Sequence, residues 1–385
     1  MAALRSILRH TSKSPNFISL PRTTSRLNHT QTNSKQARFP PVLIAAAVLG
    51  TATYYALSPS TPKTLNPVTF TPYTITSKHT ISPTSVIFTI SPHQHDPSPP
   101  YLSESKWKYP LWSVEFKQPE VQIARHYTPL PVDAEDGSLS FYIRAVGGGE
   151  MSNYLNRLAV GRDVYLRGPH AGFDILQRLG AQKNVVFLAG GTGVVPGMQV
   201  ARAVLERDSS SRVKILWAVR RREELQGRQA GWTFWRTPTE VTGELEDASA
   251  MGERLARMKA KYGERLVIKV AVDEERTRFT ERDVRDALAE GGQATPGDGC
   301  RLHDQRLHTR VSEFEEPGVP CECAASAAPG KNLLMVSGPD GFIAHYAGDK
   351  TWRGGTLTQG GVGGVAGLLQ RRNPALANDW LVLKL

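Results

Sequence analysis

The first 95 residues of the chain contain no aspartate or glutamate. Nine lysines and arginines lie in this stretch, and the first acidic side chain is Asp96. The whole chain of 385 residues has 47 basic and 36 acidic side chains and a formal net charge of +11. The remainder, with 38 basic against 36 acidic residues, is close to neutral. The positive charge therefore belongs to the N-terminal segment, which argues against a nucleic-acid-binding face on the globular part.

Cysteine is also scarce. The three cysteines are Cys300, Cys321 and Cys323, too few for a disulfide framework in a chain of this length. All of them lie in residues 291–330, a polar stretch without periodicity that predicts an irregular insertion or a translated intron. The spacing of these cysteines and of His303 and His308 matches no zinc pattern, so no metal site is predicted.

Residues 1–38 are rich in arginine and serine and free of acids. This composition is typical of a mitochondrial targeting segment, the alternative being a disordered basic tail. Residues 39–57 follow, with an uncharged run from Val42 to Leu57 that approaches the minimum length of a membrane-spanning helix. The alternatives are an apolar stop sequence or a loosely embedded helix. If this segment spans the membrane, the positive-inside rule and its basic N-terminal flank place the N-terminus in the matrix. The globular part then lies in the intermembrane space.

Between residues 63 and 178 the sequence alternates apolar and polar residues in short runs. Such runs predict strands near residues 68–70, 73–75, 86–90, 112–116, 139–146 and 162–169, with a helix over 153–158. Many short strands and one helix favour a small β-barrel.

From residue 180 to 385, apolar strands alternate with helical patterns. This order predicts a parallel, doubly wound α/β sheet with its ligand at the carboxyl ends of the strands. The strand at Val185–Ala189 leads into Gly190-Gly-Thr-Gly193 and then a helix that Pro196 opens. Strand, glycine turn and helix together favour an anion site, although such a turn also occurs for purely structural reasons. Neither a Walker P-loop nor G-x-G-x-x-G is present.

Three motifs in order resemble those of the ferredoxin-reductase superfamily, in particular its cytochrome b5 reductase-like flavoproteins. They are Arg125-His-Tyr127-Thr128, Gly149-Glu-Met151-Ser152 and Gly190-Gly-Thr-Gly193 with Pro196. Each barrel motif alone is also compatible with ordinary strand packing. The mitochondrial leader and the long tail after residue 342 are similar to fungal mitochondrial FAD proteins that assist haem attachment to cytochrome c.

This resemblance implies a membrane-anchored FAD oxidoreductase that takes a hydride from NADH or NADPH. Its expected acceptor is a haem protein such as cytochrome c, or the assembly machinery of cytochrome c, and nucleic acid is not an expected partner. The residues implied to bind the cofactors are Arg125, Tyr127, Thr128, Tyr142, Ile143, Arg144, Gly149, Met151, Ser152, Gly191, Gly193, Pro196, Arg221, Gly338 and Pro339. Thr192 and Ser337 are implied to lie beside the nicotinamide.

Two positions leave alternatives open. Ser337 stands where the family has cysteine, which favours either altered hydride transfer or an assembly module without turnover. A cytochrome b5 reductase with another acceptor is a further possibility. Arg221 lies in the run Arg220–Arg222 after the second α/β strand, where it would hold a 2′-phosphate and favour NADPH, unless the run is a solvated basic turn.

Overall fold

The computed structural model describes residues 64–93, 109–131, 137–227, 237–289, 330–353 and 355–385. The predicted targeting segment 1–38, the predicted membrane helix 39–57 and almost all of the 291–330 insertion lie outside these ranges. Within the described ranges, no helix has the length and apolar character needed to cross a membrane.

The N-terminal half of the described chain forms a barrel-like sheet of six antiparallel strands and one helix. These elements are β1 (Thr71–Ser82), β2 (Ser85–Pro92), β3 (Trp112–Gln118), β4 (Ile123–Tyr127), β5 (Leu139–Arg144), α1 (Glu150–Arg157) and β6 (Asp163–Ala171). The spatial order is β4-β3-β6-β1-β2-β5. Strand alternation directs one side-chain face inward, where Phe88, Phe116 and Phe141 lie in ring contact. Met151 and Leu155 of α1 join the same core.

The C-terminal half forms a second six-stranded sheet. Its strands are β7 (Asn184–Gly190), β8 (Arg212–Val219), β9 (Thr239–Glu240), β10 (Leu266–Val272), β11 (Asn332–Ser337) and β14 (Trp380–Lys384). A separate hairpin consists of β12 (Thr351–Arg353) and β13 (Thr356–Thr358). The helices are α2 (Ile175–Leu179), α3 (Val194–Arg207), α4 (Ala250–Tyr262), α5 (Glu281–Ala289), α6 (Asp340–Ala347), α7 (Gly364–Arg372) and α8 (Ala375–Asp379).

The order of the second sheet is β14-β11-β7-β8-β10-β9. From β7 the chain proceeds to β8 and β10 on one side and later returns to place β11 on the other side, so β7 and β11 flank the point where the strand order reverses. Residues of α3 and α4 cover one face, and residues of α5, α6 and α7 cover the other. Helices on both faces confirm the doubly wound α/β arrangement.

Four details differ from the sequence predictions. Val68 precedes the first strand and is 75% exposed, because β1 begins at Thr71. Helix α1 begins at Glu150, before the predicted start at residue 153. Strand β9 pairs antiparallel with β10, so the sheet is not wholly parallel. The sequence predicts residues 333–336 as the last core strand, whereas β14 follows β11 and pairs parallel with it.

Candidate functional site

The glycine turns after β7 and β11 are in direct backbone contact. A Cβ atom on Gly193 would lie 2.5 Å from the carbonyl oxygen of Ser337, and one on Gly338 would lie 3.1 Å from the Cα of Gly190. The Gly190 Cα also faces the ring of Phe342, which a Cβ there would approach to 3.0 Å. These positions require glycine because two backbone segments pass close to each other. The carboxyl ends of the two strands thereby form one edge of a cleft.

Thr192 lies in this turn, half-buried, directly before α3. Pro196 occupies the first turn of α3, where its missing N–H has no intrahelical partner to lose. The free N–H groups and partial positive charge of the helix start therefore face the same edge. This geometry agrees with the anion site that the sequence motif favours.

The barrel supplies the opposite wall. Tyr127 ends β4 half-buried, with its ring edge-on to Phe116 at a centroid distance of 5.6 Å. Burial raises the pKa of Tyr127 to about 12, so the phenol is neutral at physiological pH. Thr128 follows it, and Trp112 lies at the start of the adjacent strand β3.

Together these walls enclose a cleft of about 550 Å³, within the size range of cofactor sites. Its lining combines residues of both sheets: Leu111, Trp112, Ser113, His126, Tyr127, Thr128, Tyr142, Arg144, Ala145, Val146, Gly172, Gly190, Gly191, Thr192, Gly193, Val195, Pro196, Arg220, Ser337, Gly338, Pro339 and Leu385. Eleven residues implied by the family resemblance are among them: Tyr127, Thr128, Tyr142, Arg144, Gly191, Thr192, Gly193, Pro196, Ser337, Gly338 and Pro339.

Six implied residues are not among the described lining residues, namely Arg125, Ile143, Gly149, Met151, Ser152 and Arg221. Arg125 is exposed, and its Nη1 donates to the neighbouring Ala124 carbonyl at 2.8 Å. Ile143 and Met151 are core residues of the barrel, so their side chains are not available to a ligand. Ser152 bonds the loop before α1, its hydroxyl donating to the Gly149 carbonyl at 3.3 Å.

The three arginines after β8 have different surroundings. Arg220 lines the cleft. Arg221 is exposed, 3.9 Å from Glu223. Arg222 is buried and ion-paired with Glu275, and its backbone N–H donates to Glu274 at 2.8 Å. Arg222 is therefore committed to holding this turn.

Two features at or behind the cleft wall carry no motif in the sequence. Gln199 of α3 is buried; its Oε1 accepts from the Trp112 N–H at 3.0 Å, and its Nε2 donates to the Pro129 carbonyl at 2.9 Å. His126 lies against His170 with ring centroids 4.9 Å apart. Burial, and then His170, lower the pKa of His126 to about 4. No local spacing pattern predicts either pairing, because each joins elements that are distant in sequence.

The residues present fit a flavin nucleotide. The wall offers aromatic rings, a threonine hydroxyl and a guanidinium, and Arg144 Nε is buried without a hydrogen-bond partner among the described residues. A Cβ at Gly147 or Gly148, in the loop before α1, would meet nothing within 4 Å, so this loop leaves room for a close-lying ligand. Fold and cleft together resemble the flavin- and nucleotide-binding architecture of the ferredoxin-reductase-like flavoproteins.

Comparison with known proteins supports this class. Residues 103–175 match the family described as oxidoreductase FAD-binding domain. An FAD-binding protein of Schizosaccharomyces pombe is 31% identical over 176 residues, which cover 45% of this chain and 62% of that protein. NADH-cytochrome b5 reductase 1 of Pyricularia oryzae is 30% identical over 168 residues, 42% of this chain and 50% of that protein.

The cytochrome c mitochondrial import factor CYC2 of Saccharomyces cerevisiae is 40% identical over 79 residues, 17% of this chain and 22% of that protein. The chain thus spans less than two thirds of each of these relatives. The comparisons confirm the resemblance to cytochrome b5 reductase-like flavoproteins and its relation to the import factor, with FAD and NADH or NADPH as the cofactors of this class.

Proposed function

We propose that the chain is an FAD-dependent oxidoreductase that takes a hydride from NADH or NADPH and passes electrons to a haem protein. The observation that supports this most is the single cleft joining Tyr127 and Thr128 of the barrel to the turns Gly190–Gly193 and Ser337–Pro339. A flavin motif and a nicotinamide motif on two different sheets thereby share one cavity. Hydride transfer requires such a shared cavity, because donor and acceptor must be held in contact.

A bound flavin supplies the redox chemistry, accepting a hydride and releasing electrons singly. The chain's own residues bind and orient the flavin and the nicotinamide. Tyr127 offers an aromatic face, and Thr128 a hydroxyl, to the flavin ring. Arg125, exposed at the end of the barrel, is available to a phosphate, for which a guanidinium is a bidentate donor. Thr192 and Ser337 lie where the nicotinamide would enter, and the glycines beside them let it approach the backbone.

A visible spectrum of the purified full-length chain in detergent tests this proposal. We expect a flavin absorption band that NADH or NADPH bleaches under argon. Tyr127→Ala should lose most of the flavin, whereas Tyr165→Ala should retain it, since Tyr165 is an exposed residue of β6 that does not line the cleft. A chain that carries no flavin would contradict the proposal.

We propose further that the acceptor is a haem protein, such as cytochrome c or an intermediate of haem attachment to it. In this proposal the chain is anchored in the mitochondrial inner membrane by residues 39–57, with the globular part in the intermembrane space. The acid-free leader and the similarity to the yeast import factor support it. The test compares the rates at which the chain reduces ferric cytochrome c and ferric cytochrome b5. We expect cytochrome c to be reduced faster. The reverse order would favour a general cytochrome b5 reductase.

Ser337 favours a second candidate, an assembly module that keeps the fold without turnover. Its position lines the cleft where the family has cysteine, and the side chain is buried. In that case flavin would be present but not bleached by either nucleotide. Ser337→Cys would then restore bleaching, whereas in an active enzyme it would change only the rate.

A further inference from the structure

Glu224 is a buried carboxylate that none of the cofactor motifs includes. It ends the short 3-10 turn Arg222–Glu224 after β8, and only 1% of its side chain is exposed. An isolated buried carboxylate is strongly unfavourable, so its partners reveal what holds it there. The charged partner and the polar partner of the Glu224 carboxylate both lie on the barrel sheet.

Those partners are Tyr142 and Arg144 of β5. The Tyr142 hydroxyl donates to Glu224 Oε2 at 2.5 Å, and the Arg144 guanidinium forms an ion pair with the same oxygen. Strand alternation explains the placement: Phe141 and Ile143 point into the barrel core, so Tyr142 and Arg144 point outward to the second sheet. Glu224 thus links the two sheets at the cleft.

Hydrogen bonds from the start of α4 hold the backbone of Glu224 in place. The Ser249 hydroxyl, at the start of α4, donates to the Glu224 carbonyl at 2.7 Å, and the Ser249 N–H donates to Leu225 at 2.9 Å. The neighbouring Arg222 is fixed by its pair with Glu275. The Glu224 carboxylate therefore lies on a turn whose position these contacts fix.

Arg144 meets the glycine turn on its other side. A Cβ on Gly191 would lie 3.0 Å from Arg144 Nη1, and Gly191 has a φ of +57°. Arg144 lines the cleft with 13% of its side chain exposed. Its Nε donates to no atom of the described residues. A guanidinium that lies against a glycine turn at a helix start and is partly exposed to the cleft is suited to a phosphate group.

We infer that Glu224 is a positioning residue for the nicotinamide dinucleotide: it fixes the Arg144 guanidinium against the Gly190–Gly193 turn, where Arg144 binds the anionic phosphates. The inference rests on the proposed function and names a residue outside its motifs. Pre-organisation is the physical reason, because an arginine already held in its binding rotamer loses less freedom when the ligand arrives.

Calorimetric binding of ADP-ribose, an unreactive fragment of the dinucleotide, to the flavin-loaded full-length chain tests the inference. We expect Glu224→Gln to weaken ADP-ribose binding about tenfold and to raise the KM for NADH and NADPH similarly, with kcat within about twofold. Flavin content should not change. Glu206→Gln is the matched control, since Glu206 also pairs with a tyrosine hydroxyl, that of Tyr262, and a cation, Lys261, but lies away from the cleft lining; it should leave binding unchanged.

Unchanged ADP-ribose binding in a folded, flavin-loaded Glu224→Gln variant would overturn the inference. If that variant does not fold, Tyr142→Phe removes only a hydroxyl from the cluster and should weaken binding about threefold; no change there would also overturn it. The proposed function fails separately, if wild type binds ADP-ribose yet neither nucleotide reduces its flavin. The inference would then still be decided by the dissociation constants of the variants.

Discussion

Single glycines in the cleft differ in what they tolerate. Gly193 touches the Ser337 backbone, whereas Gly147 has open space around its Cα. We expect Gly193→Ala to lower the free energy of unfolding by about 2 kcal/mol, the usual cost of forcing a methyl group into packed backbone. It should also raise the KM for the nucleotide, because the turns after β7 and β11 must separate.

Denaturant titration and steady-state kinetics check this prediction. Gly147→Ala serves as the stability control and should leave the free energy of unfolding unchanged, because a Cβ there meets nothing within 4 Å. Equal effects of the two substitutions would mean that the contact between the turns is not what requires glycine.

Nucleotide preference is a second question at the residue scale. We predict that Arg221→Ala raises the KM for NADPH about tenfold without changing that for NADH, because a 2′-phosphate would lose a charged partner. Arg220, which lines the cleft, provides the comparison through Arg220→Ala. If only Arg220→Ala changes the NADPH preference, the 2′-phosphate assignment moves from Arg221 to Arg220.

His126 makes stability depend on pH. Its pKa is lowered from 6.5 to about 4 in the folded chain, so folding favours the neutral ring. This contribution is complete above pH 6.5 and is lost as the pH falls towards 4, where the unfolded chain binds a proton first. Because the His126 side chain is partly exposed to solvent, which screens this effect, we expect a loss of only about 1 kcal/mol.

Chemical denaturation at pH 7 and at pH 4.5 measures this loss. The variant His126→Gln should show a smaller decrease than wild type over the same interval. An identical decrease in the two proteins would assign the pH dependence to other groups.

At the scale of elements, Gln199 joins α3 to the barrel. Gln199→Leu keeps the volume but removes the two buried hydrogen bonds that Gln199 makes with the Trp112 N–H and the Pro129 carbonyl. We expect a loss of about 3 kcal/mol in the free energy of unfolding, since each buried unpaired group costs one or more kcal/mol. Flavin content should also fall, because Trp112 and the segment after Thr128 form the cleft wall.

Equilibrium unfolding of Gln199→Leu measures the stability loss. Arg202→Ala, on a partly exposed face of the same helix, removes an i, i+4 pair with Glu206 and should change the free energy of unfolding by less than about 0.5 kcal/mol. A Gln199→Leu variant as stable as wild type would show that α3 does not anchor the barrel through this side chain.

The elements also show what could be predicted from sequence. Strands β7, β8, β10 and β11 are predictable from sequence because each is mostly apolar, as expected where both faces are covered; Lys214 and Lys269 interrupt the runs of β8 and β10. Strand β9 was missed because two residues carry no periodicity. The sequence does not predict strand β14, although Trp380–Leu383 is apolar. No local pattern distinguishes an additional edge strand from an unpaired C-terminal tail.

For the whole molecule, the acid-free leader makes a prediction about location. We expect the full-length chain to be imported into mitochondria and to resist extraction by alkaline carbonate. Removing residues 1–38 should abolish import, and removing residues 39–57 should yield an extractable protein. Fractionation with protease protection, with and without the outer membrane, measures both location and orientation. Extraction of the full-length chain by carbonate would exclude the anchor.

By itself, the sequence determined the charge asymmetry, the alternation of strands and helices, and the glycine turns at strand ends, because these depend on residues close together in the chain. The tertiary structure decided which of these features meet. The contact of Gly193 with Ser337, and of Glu224 with Tyr142 and Arg144, joins residues that are distant along the chain. Such contacts follow from how two sheets pack, and packing depends on the whole core rather than on any local pattern.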